Sequence, residues 1–445
     1  MKKIAFFFLL LTSLLPGLAH AEQIDAETAD DTPTLHAQAA ILMENSSGEV
    51  LFEKNADQKM YPASITKLMT ILLALENSSL TDEISFSHNA VYSIEPGSAH
   101  IAIQEGEVLT MEQALRAIIL RSANEVSNAV AEHVDGSVEA FAQHMSQRAQ
   151  DLGCKNTNFV NANGLHNESH VTTARDMALI ARELLTHPEY RAIMSETYYE
   201  IPPTNLQSET RYLHGQHQML NPNSIYYYEG AIGGKTGYTN EAKNTLVTYA
   251  KKGDMELIAV VLQCNGTEHY VDTAALFDYG FANFKMEKIF SADDYAQTVA
   301  VTEDHQGNTI TLGEITAKAA GDVSLPLPIN ADTDSLQITV NCPQSVEAPV
   351  AAGDEIGSAS VSMDGRVLQT IPLNAQEGID LMTDAEHSSL DTKARQQLSK
   401  KIGIGFGIAF LLCLLLLGIT RTIGYLRYRK RRKNRKKRMQ KRNRK

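Results

Sequence analysis

Cysteine is scarce. The 445 residues contain four, and Cys413 falls in a long apolar run near the C-terminus, leaving Cys154, Cys264 and Cys342 for everything else. Three cysteines make no disulfide framework and no Cys-x-x-Cys occurs, so a stapled scaffold and a zinc knuckle are both excluded. Stability must come from an apolar core. Basic charge is scarce as well, except at the ends. Fifteen Lys and Arg crowd into residues 421–445 without an acid, and Lys2 and Lys3 add two more. Residues 22–420 keep 23 basic against 53 acidic side chains, a net charge of −30. Such a body repels phosphates, which excludes a nucleic-acid-binding main domain. Long-period repeats are absent too. With residues 1–21 and 402–445 set aside, 380 residues remain, enough for two domains.

The two ends predict the compartment. Met-Lys-Lys, an apolar run over residues 4–15 and Ala19-His20-Ala21 have the three parts of a secretory signal, cleaved after Ala21. The run is short and ends at Pro16-Gly17, which speaks against an anchor. Residues 402–420 are uncharged and bounded by Lys400-Lys401 and Arg421. At ~1.5 Å per residue they just span a bilayer core. The basic excess beyond Arg421 places that side in the cytoplasm. The expectation is a single-pass cell-membrane protein with its body outside and its tail, residues 421–445, inside on anionic lipid.

Residues 22–35 read as a mobile leader. Residues 37–44 and 49–54 are strand-like and joined by Asn45-Ser46-Ser47-Gly48, a hairpin signal. After Pro62, apolar residues at 65, 68, 69, 72 and 73 follow helical spacing. Helical patterning returns over 111–119, 126–134, 138–152 and 173–185, before a strand pair at 244–250 and 256–264. Strands at both ends with helices between predict an α+β domain, residues 36–288, whose sheet joins its two termini. Short alternating runs then predict a small all-β domain over 290–383, with Asp364-Gly365 as a hairpin turn. Residues 384–401 read as a stalk.

Three short motifs carry chemistry. In Ser64-Ile65-Thr66-Lys67 the i, i+3 spacing on a helix brings the amine beside the hydroxyl. A serine needs a base, and Lys67 can act as one only when neutral. Bringing its pKa from ~10.4 to ~7 demands roughly 4–5 kcal/mol against the charged form, supplied by burial and a second cation. Lys235-Thr236-Gly237 offers that cation on an expected edge strand, with a hydroxyl for an anionic substrate end and a glycine that leaves room for substrate. Ser122-Ala123-Asn124 offers a hydroxyl for proton relay and an amide. Ser87-His88-Asn89 has the same form but no helix leading in, and is set aside.

Together and in this order these motifs form the set of β-lactamases and penicillin-binding proteins. The sequence resembles the low-molecular-mass penicillin-binding proteins that are serine-type D-alanyl-D-alanine carboxypeptidases, peptidase family S11. The likeness extends through Tyr61-Pro62-Ala63-Ser64-Ile65-Thr66-Lys67-Leu68-Met69-Thr70 and residues 156–165, 172–181 and 234–239, and more weakly through Ala352-Gly353-Asp354-Glu355-Ile356-Gly357. It implies a β-lactamase/transpeptidase-like catalytic domain, a small all-β domain and one C-terminal transmembrane helix. It implies Ser64 as acyl-enzyme nucleophile, Lys67 as base, Ser122 as proton shuttle and Asn124 as substrate binder. Lys235 and Thr236 would bind carboxylate beside Gly237, with the N–H groups of Ser64 and Tyr238 as oxyanion hole. The implied substrates are peptidoglycan stem peptides, with β-lactams as covalent inhibitors and no cofactor or metal.

One departure concerns the terminal carboxylate. Family members commonly carry an Arg where this chain reads Glu268-His269-Tyr270, and a neutral His269 binds a carboxylate less well. Two rivals share the fold: a β-lactamase, and a slow penicillin-sensing or wall-binding receptor. The Glu-x-x-Leu-Asn setting of the class A deacylating glutamate occurs nowhere. His166 and His170, four apart, raise a zinc peptidase, but they lie in an Asn/Gly-rich stretch without a third ligand and read as loop histidines.

Overall fold

Strand β1 (Ala39–Glu44) is buried along its whole length because both faces of its sheet are covered. Ala39, Ile41 and Met43 turn to one core, Ala40 and Leu42 to the other. The chain turns back through Gly48, at φ +75°, into β2 (Val50–Lys54). The buried Glu44 carboxylate accepts from the Ser46 and Ser47 amides inside that turn. The computed structural model describes residues 32–442. The expected signal, residues 1–21, most of the leader and the end of the tail lie outside the described residues. Of the leader's described part, Leu35 is packed in the second core.

A 3-10 turn, Ala63–Thr66, opens into α1 (Lys67–Asn77). The periodicity thus marks an apolar helix, but Ser64 itself sits in the tighter turn before it. Ile65, Leu68, Met69, Leu72 and Leu73 are fully buried. At roughly 1.5–3 kcal/mol each, they outweigh the several kcal/mol that burial of one amine opposes. Next come β3 (Glu83–Ser85), α2 (His88–Tyr92), β4 (Val108–Thr110), α3 (Met111–Arg121), α4 (Asn124–Asp135), α5 (Val138–Asp151), α6 (Ala174–Leu184) and α7 (Pro188–Ile193). A hairpin of β5 (Tyr198–Ile201) and β6 (Arg211–His214) follows.

β7 (Ala231–Thr239), β8 (Lys243–Lys252) and β9 (Met255–Cys264) complete an antiparallel sheet in the order β2-β1-β9-β8-β7. β1 and β9 pair at its centre, joining the two ends of the helical region. In β9, Ile258, Val260 and Leu262 face the core of α1 and α3–α6, while Leu257, Ala259 and Val261 face α8 (Glu268–Asn283). Double cover explains the unbroken apolar run of this strand. β7 is left at the edge.

This unit runs to Glu287 and takes in Leu325–Ala331; the second holds Lys288–Ser324 and the chain from Asp332 onward. β10 (Phe284–Phe290) pairs with a later strand in a two-stranded sheet separate from the second unit's own six-stranded sheet. That sheet is built from β11 (Gln297–His305), β12 (Asn308–Lys318), β14 (Leu336–Asn341), β15 (Ser345–Glu347), β16 (Glu355–Met363) and β17 (Arg366–Ala375), with β13 (Val323–Pro328) the partner of β10. Asp364 and Gly365, at φ +52° and +78°, close the β16–β17 hairpin. The expected stalk is helical: α9 runs from Asp384 to Arg442 without a break. Its foot is tied to β11 by His387 on Glu303 and His305 on Asp391, at 2.9 and 3.0 Å. Among the described residues it alone is long and apolar enough to cross a membrane.

Candidate active site

The turn and the helix after it put two of the expected residues in contact. Lys67 Nζ donates to Ser64 Oγ at 3.0 Å and to Asn124 Oδ1 at 2.7 Å, and its third bond goes to the main-chain carbonyl of Asn163. In the neutral amine the two protons satisfy the Asn124 and Asn163 oxygens, which can only accept, and the lone pair is left facing Ser64 Oγ. The side chain is fully buried, and burial first, then the positive charge of Lys235, holds its pKa well below the usual lysine range; Glu125 opposes them. Lys235 is itself buried, which brings its pKa down to about 7, and its amine donates to the Thr236 carbonyl at 2.8 Å. The environment demanded by the sequence argument is present: burial plus a second amine.

Helix caps place the second motif. Thr110 and Gln113 form a reciprocal capping box that starts α3. Eleven residues on, Ser122 ends that helix at φ +57°, a left-handed position usually left to Gly or Asn. The kink turns the chain into α4, whose first residue is Asn124, with its amide on the Ala99 carbonyl at 2.9 Å. Ser122 Oγ is buried without a hydrogen-bond partner, a free hydroxyl beside the cleft. By contrast, Ser87 and Asn89 both donate to Glu132, so the look-alike motif is occupied as a surface helix cap.

Strand β7 lies directly against the nucleophile turn. A Cβ on Gly237 would come within 2.4 Å of Thr245 Oγ1 and 2.9 Å of the Ser64 amide nitrogen. The expectation that this glycine makes room for substrate therefore needs correction: the space is taken by the protein's own turn. Thr245 Oγ1 in turn donates to the Pro62 carbonyl at 2.8 Å. A cleft of about 370 Å³ opens beside this contact, lined by Ser64, Ser122, Thr236, Gly237, Tyr238 and, from the α8 side, His269 among others. Among the described residues no Asp or Glu lines it. His269 is 5% exposed, and burial lowers its pKa, so it stands neutral at pH 7.

Several neighbours were not singled out from sequence. Asn163, within a segment noted only for its likeness, supplies the carbonyl on Lys67 and is held by Asn128. Glu125 is 1% exposed, accepts from the Ile101 amide at 2.7 Å, and has its carboxyl pKa raised by burial. His217, also buried, packs on Gly234 and meets Thr248 Oγ1 at 3.0 Å. Of the two loop histidines, His170 bonds to Thr66 and His166 packs edge-on to Tyr61. The one His/Asp/Glu group close enough for a cation among the described residues, Glu76, Glu183 and His187, lies elsewhere, and both its carboxylates already accept from Arg148.

Known proteins are similar to this chain over about four-fifths of its length. Residues 26–266 match the family described as D-alanyl-D-alanine carboxypeptidase, and residues 284–380 the C-terminal domain of penicillin-binding protein 5. The D-alanyl-D-alanine carboxypeptidase DacF of Bacillus subtilis is 31% identical over 385 residues, covering 83% of this chain and 94% of the relative. DacC of Escherichia coli, another D-alanyl-D-alanine carboxypeptidase, is 30% identical over 83% of this chain and 93% of its own. The crystal structure of penicillin-binding protein 5 from Haemophilus influenzae superposes with a TM-score of 0.63 at 26% identity, covering 78% of this chain and 99% of that one. With the serine–lysine turn, the Ser-Ala-Asn corner and the Lys-Thr-Gly edge strand gathered on one cleft, the chain belongs to the S11 family of D-alanyl-D-alanine carboxypeptidases.

Proposed function

We propose that the protein is a membrane-tethered serine D-alanyl-D-alanine carboxypeptidase that removes the terminal D-alanine from peptidoglycan pentapeptide stems and is acylated by β-lactams. Ser64 attacks the penultimate D-alanine carbonyl, and neutral Lys67 takes its proton. Ser122 relays that proton to the departing amine while Asn124 holds the substrate. The N–H groups of Ser64 and Tyr238 receive the oxyanion, and Lys235 and Thr236, beside Gly237, meet the terminal carboxylate. Water then releases the acyl group. The observation that carries the reading is the 3.0 Å contact between Ser64 Oγ and a Lys67 amine whose burial keeps its pKa low. Without that low pKa the same contact would be an inert hydrogen bond. Intact-mass spectrometry after penicillin treatment tests it: one adduct per chain, absent from Ser64→Ala.

Residues 36–288 form the catalytic domain in this reading, residues 290–383 a β-rich C-terminal domain and residues 384–401 a stalk. Residues 402–420 span the membrane and residues 421–445 rest on anionic lipid in the cytoplasm. The exposed apolar helix and its basic continuation support this topology. Protease added outside intact cells should remove the body and spare the tail. The lack of a Glu-x-x-Leu-Asn motif favours this reading over a β-lactamase.

A further inference from the structure

The segment between α5 and α6 is strapped onto the nucleophile turn. Met60 and Thr172 exchange two backbone bonds at 2.8 Å, and within the segment itself Asn158 and Val171 exchange two more at 2.9 and 3.0 Å. Between these rungs the strap meets the catalytic turn at three places. Asn163 takes the Lys67 amine, the Ala162 carbonyl takes the Thr70 hydroxyl at 2.6 Å, and His170 meets Thr66. The fit is close: a Cβ on Gly164, at φ +83°, would sit 2.0 Å from the Ala63 carbonyl oxygen.

Among the described residues, His170 is the strap side chain that bonds to a residue lying between Ser64 and Lys67. Its tautomer is set by the Val160 amide, which donates to Nδ1 at 3.0 Å, so the ring proton sits on Nε2. That proton points at Thr66 Oγ1, 2.8 Å away. The ring is 2% exposed and packed edge-on against Phe159. Burial, Lys67 and His166 bring its pKa down to about 3. The donor therefore does not change state in the range where Lys67 must release its proton. The charged or titratable groups about the pair are Lys67, Lys235 and Glu125, with His166 and Glu241 3.9 Å apart at the strap's tip.

We propose that His170 is a positioning residue for the reaction: its Nε2–H on the Thr66 hydroxyl fixes the 3-10 turn so that Ser64 Oγ stays opposite a buried Lys67. The inference rests on the reading of Ser64 and Lys67 as nucleophile and base. Without the bond, the turn loosens, water reaches the amine, and the pKa of Lys67 rises.

The test uses the full-length enzyme and the penicillin acylation rate as a function of pH, with thermal unfolding measured alongside. His170→Phe should slow acylation about ten- to hundredfold and move its acid limb up by about one pH unit. His170→Gln, which restores an N–H donor, should recover most of both. Thr66→Val keeps the shape of the turn and should reproduce the defect. The double variant His170→Phe/Thr66→Val should then be no worse than either single one, because both remove the same bond. Folded His170→Phe or Thr66→Val enzyme with an unchanged rate and acid limb overturns the inference, as do additive effects in the double variant. Labelling that survives Ser64→Ala overturns the functional reading and this inference together; labelling lost there while His170→Phe acts like wild type overturns only the inference.

Discussion

Thr245 on β8 reaches past the edge strand and donates its hydroxyl proton to the carbonyl of Pro62, 2.8 Å away and two residues before Ser64. The buried bond fixes β8, the partner of the strand carrying Lys235, to the turn carrying Ser64. Gly237 is the residue that lets them close.

Gly237→Ala therefore tests the seam. The added methyl would meet Thr245 Oγ1 at 2.4 Å and the Ser64 nitrogen at 2.9 Å, distances that force β7 away from the turn. Acylation by penicillin should fall at least about tenfold, with fold and far-ultraviolet dichroism kept. A fully active Gly237→Ala enzyme would show that the two elements need not touch.

The acid limb of the acylation profile should follow Lys67. Its pKa lies below the ordinary value, and the neutral amine is the active form, so rate rises as pH rises through that lowered pKa. Lys235 is one cause of the lowering. In Lys235→Ala the pKa of Lys67 should climb and the limb should move to higher pH. Lys67→Arg should be nearly inactive, since guanidinium keeps its proton throughout this range.

Burial of Lys235 also has a stability consequence with a definite sign. Its folded pKa of about 7 is below the unfolded value of ~10.4, so between those pH values the unfolded chain binds more protons. Wild-type stability should rise with pH across that window and be lowest below it. Lys235→Met should be the more stable protein at pH 7, with an advantage that shrinks toward pH 10. A Met variant less stable at pH 7 would mean that the amine is better compensated than its burial implies.

His269→Arg addresses the substrate's free end. A neutral, buried imidazole now occupies that side of the cleft. A guanidinium should lower KM for peptides ending in a free carboxylate by about tenfold and leave peptides amidated at that end unaffected. Equal effects on both would remove His269 from carboxylate recognition.

How much of this was legible in sequence follows from how far each contact reaches. Ser64 and Lys67 are three residues apart, and an apolar helix announces their turn. The edge position of β7 follows from a strand pair whose second member is apolar on both faces. Asn163 meets Lys67 across 96 residues and Thr245 meets Pro62 across 183, through a carbonyl and a hydroxyl that no local pattern marks. The reason for Gly237 is hidden on the same ground, since the atoms that exclude its side chain come from β8 and the turn. Leu325–Ala331 joins the first unit although strands of the second precede it, and its apolar pattern alone could not say which core it enters.

The central claim is that Ser64, activated by a buried neutral Lys67, turns over D-Ala-D-Ala peptides yet is trapped by penicillin. The sequence has no Glu-x-x-Leu-Asn setting for a glutamate that aims water at a stable ester, and the opened ring keeps the leaving amine in place. Each tenfold in lifetime corresponds to roughly 1.4 kcal/mol of barrier. The direct measurement is the half-life of the mass-shifted penicilloyl enzyme beside turnover of a diacyl-D-Ala-D-Ala peptide by the same preparation. The expected result is one long-lived adduct on Ser64, none on Ser64→Ala, and release of D-alanine from the peptide at a rate far above adduct loss. Rapid regeneration from penicillin with the peptide left uncut would contradict it and make the protein a β-lactamase.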